Sequence, residues 1–175
     1  MSMTNAVQSV ASTARTLWIS GDTMHLLATG DDTAGRLLVL EVLAEPGGGP
    51  PPHIHHNEDE SFYVLDGEFE IVRAHETIRA GAGTFAHVPR GTIHRFSNVG
   101  SSPGRILIMF TPAGLEGFFR AAGVPAVAGL TAPPVDAAEI ARTELAAPKY
   151  GLELALGDQA DPDAAGQGRS SAPSS

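Results

Sequence analysis

The chain has 175 residues, of which 42% are hydrophobic and 18% charged, and its formal net charge is −9. This composition predicts one globular domain, and the absence of a basic run argues against a nucleic-acid-binding surface. Because the chain has no cysteine, disulfides, thiolate metal ligands and a catalytic thiol are excluded. No apolar run is long enough to span a bilayer, and the first 18 residues lack the features of a secretory signal, so we expect a cytoplasmic protein.

The two ends of the chain differ in composition from the middle. Residues 1–14 are small and polar, and we expect a flexible N-terminus. Residues 157–175 are of low complexity with almost nothing apolar, which predicts a disordered tail. The folded domain, including its C-terminal helices, is therefore expected to span residues 15–156.

The middle of the chain reads as a series of short strands separated by turns. The turn residues Asp66–Gly67 predict a hairpin in which Val64 lies opposite Phe69 and Phe62 opposite Ile71. A further turn is expected over residues 30–35. The pattern predicts an all-β antiparallel sandwich or barrel. The predicted strands are Leu17–Ile19, Met24–Thr29, Arg36–Ala44, Ser61–Leu65, Glu68–Arg73, Thr84–Val88, His94–Asn98 and Arg105–Phe110.

Two helices are predicted after the strands. Residues Ala113–Ala122 have apolar side chains at helical spacing, and Gly123 ends the segment. A second helix over Val135–Ala147 begins beside Asp136, which has a glutamate three residues later as in a capping box. We expect both helices to pack on the exterior of the barrel or over its mouth.

Histidine and glutamate residues cluster in two segments of the chain. His53 and His55 lie two residues apart, so an extended strand would place both on one face. A turn after His55 could bring the carboxylate of Glu60 beside them, and His94 opens a later strand. Three imidazoles and one carboxylate suit a single divalent Fe, Mn, Ni, Co or Zn ion, and leave two positions free on an octahedral ion.

The spacing of these residues resembles the two sequence motifs of the cupin family. The ten positions that the motifs specify all match, and they are Gly47, His53, His55, Glu60, Gly67, Gly83, Pro89, Gly91, His94 and Asn98. The resemblance implies a double-stranded β-helix, the jelly-roll cupin barrel, with one metal held by His53, His55, Glu60 and His94. The C-terminal region is similar to that of small single-domain cupins described as quercetin 2,3-dioxygenase-like.

Apolar side chains with the same strand parity as the proposed ligands predict a substrate pocket around the metal. The same residues could equally be core that fills a small barrel. Two polar residues are further candidates: Arg73, which a regular hairpin would place opposite Glu60, and His87, two residues before Pro89. The predicted pocket residues are Phe62, Val64, Phe69, Ile71, Phe96, Arg73 and His87.

Two kinds of enzyme and one binding protein fit these residues. The first is a quercetinase-like dioxygenase that takes O₂ and an aromatic or enolisable hydroxy-ketone, with Glu60 as the catalytic base. The second is a redox-neutral isomerase, cyclase or lyase that uses the metal as a Lewis acid. The third is a non-catalytic module that binds a small molecule. Analogy with cupins suggests a homodimer, for which the apolar stretch Leu17–Ile19 is a candidate contact.

Overall fold

The computed structural model describes residues 15–155, so the expectations for residues 1–14 and 157–175 lie outside the described part of the chain. None of the described helices is long and apolar enough to cross a membrane. The described strands are β1 (Thr16–Ile19), β2 (Asp22–Ala28), β3 (Leu38–Ala44), β4 (His53–His55), β5 (Asp59–Asp66), β6 (Glu68–Arg73), β7 (Glu76–Gly81), β8 (Phe85–Val88), β9 (His94–Asn98), β10 (Gly104–Thr111), β11 (Val124–Pro125) and β12 (Leu152–Leu154). The described helices are α1 (Gly30–Thr33), α2 (Glu116–Ala122) and α3 (Ala137–Ala146).

The strands form two antiparallel sheets. One has seven strands in the order β11-β1-β2-β3-β10-β5-β8, and the other has five in the order β12-β4-β9-β6-β7. Alternate side chains along each strand point into the space between the sheets, as the twofold period of a strand requires. In β3, for example, Leu38, Leu40, Val42 and Ala44 are completely buried. The expected all-β jelly-roll barrel is confirmed.

The predicted hairpin between β5 and β6 is wrong. β5 pairs with β10 and β8, whereas β6 pairs with β7 and β9 in the other sheet. Gly67 is therefore a corner at which the chain passes between sheets, with a φ of 89°. A Cβ on Gly67 would lie only 2.8 Å from the Cα of Gly104, so both the backbone conformation and the close approach require glycine.

The turn expected over residues 30–35 contains one short helical turn. Thr29 lies at its N-terminus, where the Asp32 carboxylate accepts hydrogen bonds from the Thr29 backbone N–H and hydroxyl. Arg15 also donates to Asp32.

The apolar stretch suggested as a dimer contact lies in β1, which pairs with β2 and β11 of the same chain. The homodimer stays a prediction.

The C-terminal segment closes the barrel. Helix α3 begins as predicted at Asp136, whose Oδ1 accepts a hydrogen bond from the Glu139 backbone N–H over 2.8 Å. The Glu139 side chain instead accepts from the Ser20 backbone N–H over 2.5 Å, which ties α3 to the turn between β1 and β2. A 3₁₀ turn over Ala147–Tyr150 then leads into β12, which pairs with β4.

Candidate metal centre

The structure brings together the four residues that the sequence predicts as metal ligands. His53 and His55 lie on β4, Glu60 on β5 and His94 on β9. Each is at most 6% exposed, and one candidate ligand atom from each residue lies within 4.8 Å of the others. Since β5 belongs to one sheet and the histidine strands to the other, the group spans the barrel interior.

Short-range features of the sequence explain how the histidine side chains are aimed inward. His53 and His55 alternate with the partly exposed Ile54 along β4. The strand pairs with β9 so that His53 lies opposite His94. The turn at Pro89–Gly91 fixes the other end of the strand, because the Gly91 backbone N–H donates to the His55 carbonyl over 2.7 Å.

Two backbone carbonyls set the orientation of two imidazoles. His53 Nδ1 lies 2.8 Å from the Pro51 carbonyl oxygen, and His94 Nδ1 lies 2.9 Å from that of Thr92. A carbonyl only accepts, so each Nδ1 carries the proton and donates. When either ring is neutral, its Nε2 therefore has the lone pair that a metal ion needs.

The charges of the group also favour a cation. Glu60 Oε2 lies 2.6 Å from His94 Nε2 and 3.2 Å from His55 Nε2. Burial opposes ionisation of the Glu60 carboxyl, but the imidazoles of His94 and His55 lower its pKa below the usual range. Burial, together with the neighbouring His94 and His55, lowers the pKa of His53 to about 3, so this ring is neutral at pH 7. Burial also opposes protonation of His94, yet Glu60 raises the pKa of His94.

The residues present fit a divalent transition-metal ion. The donor set is three imidazole nitrogens and one carboxylate oxygen, which suits Fe, Mn, Ni, Co or Zn. A cation among them would take the place of the proton that Glu60 and His94 share. The donor set alone does not select one of these metals, since geometry and supply decide selectivity as much as ligand type.

Glu58 is a buried carboxyl next to the candidate ligand His55, and it was not predicted as a site residue from the sequence. Its side chain is 4% exposed, and its Oε2 lies 4.0 Å from His55 Nδ1. Neither atom has a hydrogen-bond partner among the described residues. Burial raises the pKa of the Glu58 carboxyl. Glu58 follows His55 by three residues, and this spacing was the one sign in the sequence that the two could be close. The sequence did not show that the turn buries the Glu58 carboxyl.

A cavity of about 70 Å³ adjoins the metal centre and is mostly apolar. Three of the four candidate ligands line it, namely His53, His55 and Glu60. Phe118 and Phe119 of α2 also line it, so the C-terminal segment contributes to the cavity wall. The remaining lining includes Ile19, Asp22, Met24, Leu40, Val42, Phe96, Ile108, Phe110, Thr143, Leu152 and Leu154.

A second, outer cavity of about 290 Å³ lies between α3 and the loop before β4. We call it the vestibule, and it is lined by Ser20, Gly49, Pro51, Val135, Glu139, Ile140, Thr143, Glu144 and Leu154. Ser20, Pro51, Thr143 and Leu154 line both cavities. The two cavities therefore share part of their walls.

The apolar residues predicted for the pocket occupy two different environments. Phe96 lines the cavity. Phe62, Val64, Phe69 and Ile71 are at most 1% exposed and belong to the core between the sheets, although Phe62 and Phe96 remain in contact with their ring centroids 5.8 Å apart. The aromatic residues that face the cavity from α2 were not predicted, because their approach depends on how the helix docks.

The two polar candidates do not face the cavity. Arg73 lies opposite His94 in the pairing of β6 with β9, and not opposite Glu60, because β5 and β6 do not form a hairpin. Its guanidinium donates to the His87 carbonyl and pairs with Glu76. The His87 side chain is exposed and bonded to the Ser61 hydroxyl, since its neighbours Ala86 and Val88 take the inward positions of β8.

Asp22 is a buried acid in the cavity wall that sequence reasoning missed. It is 2% exposed and opens β2, in which Met24 and Leu26 share its inward parity. Burial raises the pKa of Asp22 to about 7, and hydrogen bonds from the backbone of Glu45 and Gly49 only partly oppose this. The signal in the sequence was the spacing of two residues between this aspartate, Met24 and Leu26, which places all three on one face of the strand.

The two facing sheets and the buried three-histidine, one-carboxylate group define a metal-binding β-barrel domain. Residues 40–110 match the family model described as the cupin domain. This segment contains all four candidate ligands and all ten motif positions, so the match supports the resemblance to the cupin family.

Comparison with known proteins places this chain among diverse relatives. It is 29% identical to quercetin 2,3-dioxygenase of Bacillus subtilis (strain 168) over 108 residues, which cover 61% of this chain and 32% of that protein. It is 40% identical to germin-like protein subfamily 2 member 2 of Arabidopsis thaliana over 70 residues, or 37% of this chain and 32% of the relative. The matched segment thus spans about a third of each relative.

A solved structure supports the fold. A predicted oxalate decarboxylase from Thermotoga maritima superposes with a TM-score of 0.54 at 20% identity, covering 59% of this chain and 98% of that one. At this identity the likeness concerns the barrel and not the reaction.

Proposed function

We propose that the protein is a metal-dependent, quercetinase-like dioxygenase acting on a small enolisable hydroxy-ketone. The observation that carries the proposal is the placement of the ligand group at the wall of a largely apolar cavity. Such a cavity would bind an apolar molecule and exclude water from its reacting oxygen. The similarity to a protein named quercetin 2,3-dioxygenase favours oxygen chemistry over the other activities of this fold.

In this proposal the chain's own residues bind and deprotonate the substrate. His53, His55, Glu60 and His94 would hold the ion, which when bound supplies Lewis acidity and a template that brings O₂ and substrate together. Glu60 would accept the proton of the substrate hydroxyl. Its lowered pKa means that the carboxyl is ionised at neutral pH, as a proton acceptor must be. Phe96 and Phe110 would contact the flat face of the substrate.

The cavity volume narrows the substrate class. Sites for drug-sized ligands usually measure about 300–1,000 Å³. A space of about 70 Å³ beside the metal group is too small for a three-ring flavonol while α2 stays in place. We therefore propose a substrate with a single small ring, whose outer part reaches toward the vestibule.

The test combines metal analysis with oxygen consumption. The purified chain should contain close to one equivalent of transition metal, and it should consume O₂ in proportion to the loss of a 3-hydroxy-4-pyrone. Glu60→Gln should abolish consumption, whereas the exposed control His87→Ala should retain it. Turnover that continues without O₂ would replace the dioxygenase with the redox-neutral isomerase, cyclase or lyase. Binding without turnover that survives Glu60→Gln would leave a non-catalytic binding protein.

A further inference from the structure

We propose that the Asp22 carboxyl is a second polar subsite of the cavity, which accepts a hydrogen bond from a hydroxyl or amino group of the substrate. This inference rests on the proposed function, because it assumes that an oxygen of the same substrate occupies the metal centre. It defines the substrate as a small ring with a metal-binding oxygen at one end and a hydrogen-bond donor at the other.

Asp22 is placed to make this contact. Asp22 lines the same cavity as His53, His55 and Glu60, and the residue is 2% exposed. Its Oδ1 has no hydrogen-bond partner among the described residues. A buried carboxylate oxygen without a partner is unfavourable, so a hydrogen-bond donor on the substrate would stabilise the carboxylate.

The glycine-rich loop before β4 is shaped around this carboxyl. The backbone of Glu45 and of Gly49 lies close enough to Asp22 to oppose the rise of its pKa. The loop closes on itself through a 2.7 Å hydrogen bond from the Gly48 N–H to the Glu45 carbonyl. A Cβ on Gly48 would overlap Asp22 Oδ1. The position of the acid is therefore fixed from two sides, as a recognition group requires.

Asp22 is close in sequence to a residue that the two cavities share. Ser20, two residues before Asp22, lines both cavities, and Gly49, whose backbone lies close to the acid, lines the vestibule. The metal ligands lie along the same cavity on β4 and β5. A substrate that enters from the vestibule would therefore leave its outer group beside Asp22 once its inner oxygen reaches the metal centre.

The charges around Asp22 favour a donor and disfavour an anion. The nearby carboxylates of Glu45 and Glu139 both add to the effect of burial on its pKa. Glu139 is itself nearly buried on α3, where it accepts from the Ser20 backbone N–H. An anionic group at the outer end of the substrate would be repelled by these three carboxyl groups, whereas a hydroxyl or ammonium group would be attracted to them.

Two matched pyrones test the subsite. Kojic acid and allomaltol share the same 5-hydroxy-4-pyrone chelating end and differ only in an outer hydroxymethyl or methyl group. The full chain is loaded with Zn(II), which has no redox chemistry, and each pyrone is titrated calorimetrically at pH 8, where most of the Asp22 carboxyl is ionised. Kojic acid should bind at least about tenfold more tightly, because a hydrogen bond to a charged group usually contributes this much or more. Asp22→Leu should reduce this preference to less than twofold.

Control variants separate the subsite from general effects on the cavity. Met24→Leu changes the wall next to Asp22 while conserving volume, and it should keep the preference. Equal affinity of the wild-type chain for both pyrones would overturn the subsite whether or not the Asp22 variant folds. A preference that Asp22→Leu leaves intact would overturn it too. In both cases chelation itself would be preserved, so the proposed function would stand. If neither pyrone bound the Zn(II)-loaded chain, both the proposed substrate class and the proposed subsite would be refuted.

Discussion

His55 Nδ1 and Glu58 Oε2 face each other across 4.0 Å in the interior of the barrel, and neither has another hydrogen-bond partner among the described residues. Ligating histidines usually donate their second ring N–H to an oxygen that fixes the ring. For His53 and His94 that oxygen is a backbone carbonyl. Glu58 is the group available to do this for His55, after a shift of about 1 Å or through one water molecule.

Replacement of Glu58 should weaken the metal centre without destroying it. In Glu58→Ala the Nδ1–H of His55 loses its acceptor, so we expect the affinity for Zn(II) to fall about 10- to 100-fold. Glu58→Gln keeps a carbonyl oxygen at the same place and should recover much of that loss. Competition with a chromogenic chelator measures both affinities. Equal affinities for Glu58→Ala and the wild-type chain would show that the carboxyl does not act on His55.

Removal of a ligand should have a larger effect. His94→Ala takes away one imidazole and leaves Glu60 without its closest partner, 2.6 Å away. We expect metal affinity to drop by more than the roughly 100-fold seen for loss of a supporting residue. Elemental analysis of the purified variant checks this. His56→Ala is the control, because His56 is exposed and bonded to Glu153. Unchanged metal content in His94→Ala would refute the ligand assignment.

The raised pKa of Asp22 should make the stability of the folded chain depend on pH. Its pKa is raised from 3.8 to about 7 in the folded chain, so the folded state holds an extra proton between these two values. The free energy of unfolding should therefore fall as the pH rises through this window, by an amount on the order of a few kcal/mol, and level off above it. Asp22→Asn cannot titrate and should show a smaller fall between pH 4 and pH 8. Urea unfolding measures both chains, and parallel pH profiles would contradict the raised pKa.

The tight packing around Gly48 gives a stability prediction. A methyl group there would overlap Asp22 Oδ1 and lie 2.8 Å from the Glu45 carbonyl oxygen. We expect Gly48→Ala to lower the free energy of unfolding by about 1–3 kcal/mol, the usual effect of overpacking. Gly81→Ala is the control, because nothing lies within 4 Å of its Cβ position and its φ is not positive. Thermal unfolding compares the two, and similar midpoints would contradict the packing described here.

The ligand set could be read from the sequence because it depends on short-range geometry. His53 and His55 share a strand face at any register, and motif spacing connects them with Glu60 and His94. The same local logic predicted most strand positions and the cap at Asp136. The family resemblance then supplied the closed barrel in which the two halves of the ligand set meet.

The sequence could not decide which strands are partners or what closes the barrel. A turn at Asp66–Gly67 is compatible with a hairpin and with a corner between sheets. The structure has the corner because β5 pairs with β10 and β6 pairs with β9. That choice moved Arg73 away from Glu60. Docking of α2 brought Phe118 and Phe119 to the cavity, and folding of the loop before β4 enclosed Asp22. These outcomes depend on contacts between distant segments, whereas the ligand set depends on residues whose separation along the chain already fixes their direction.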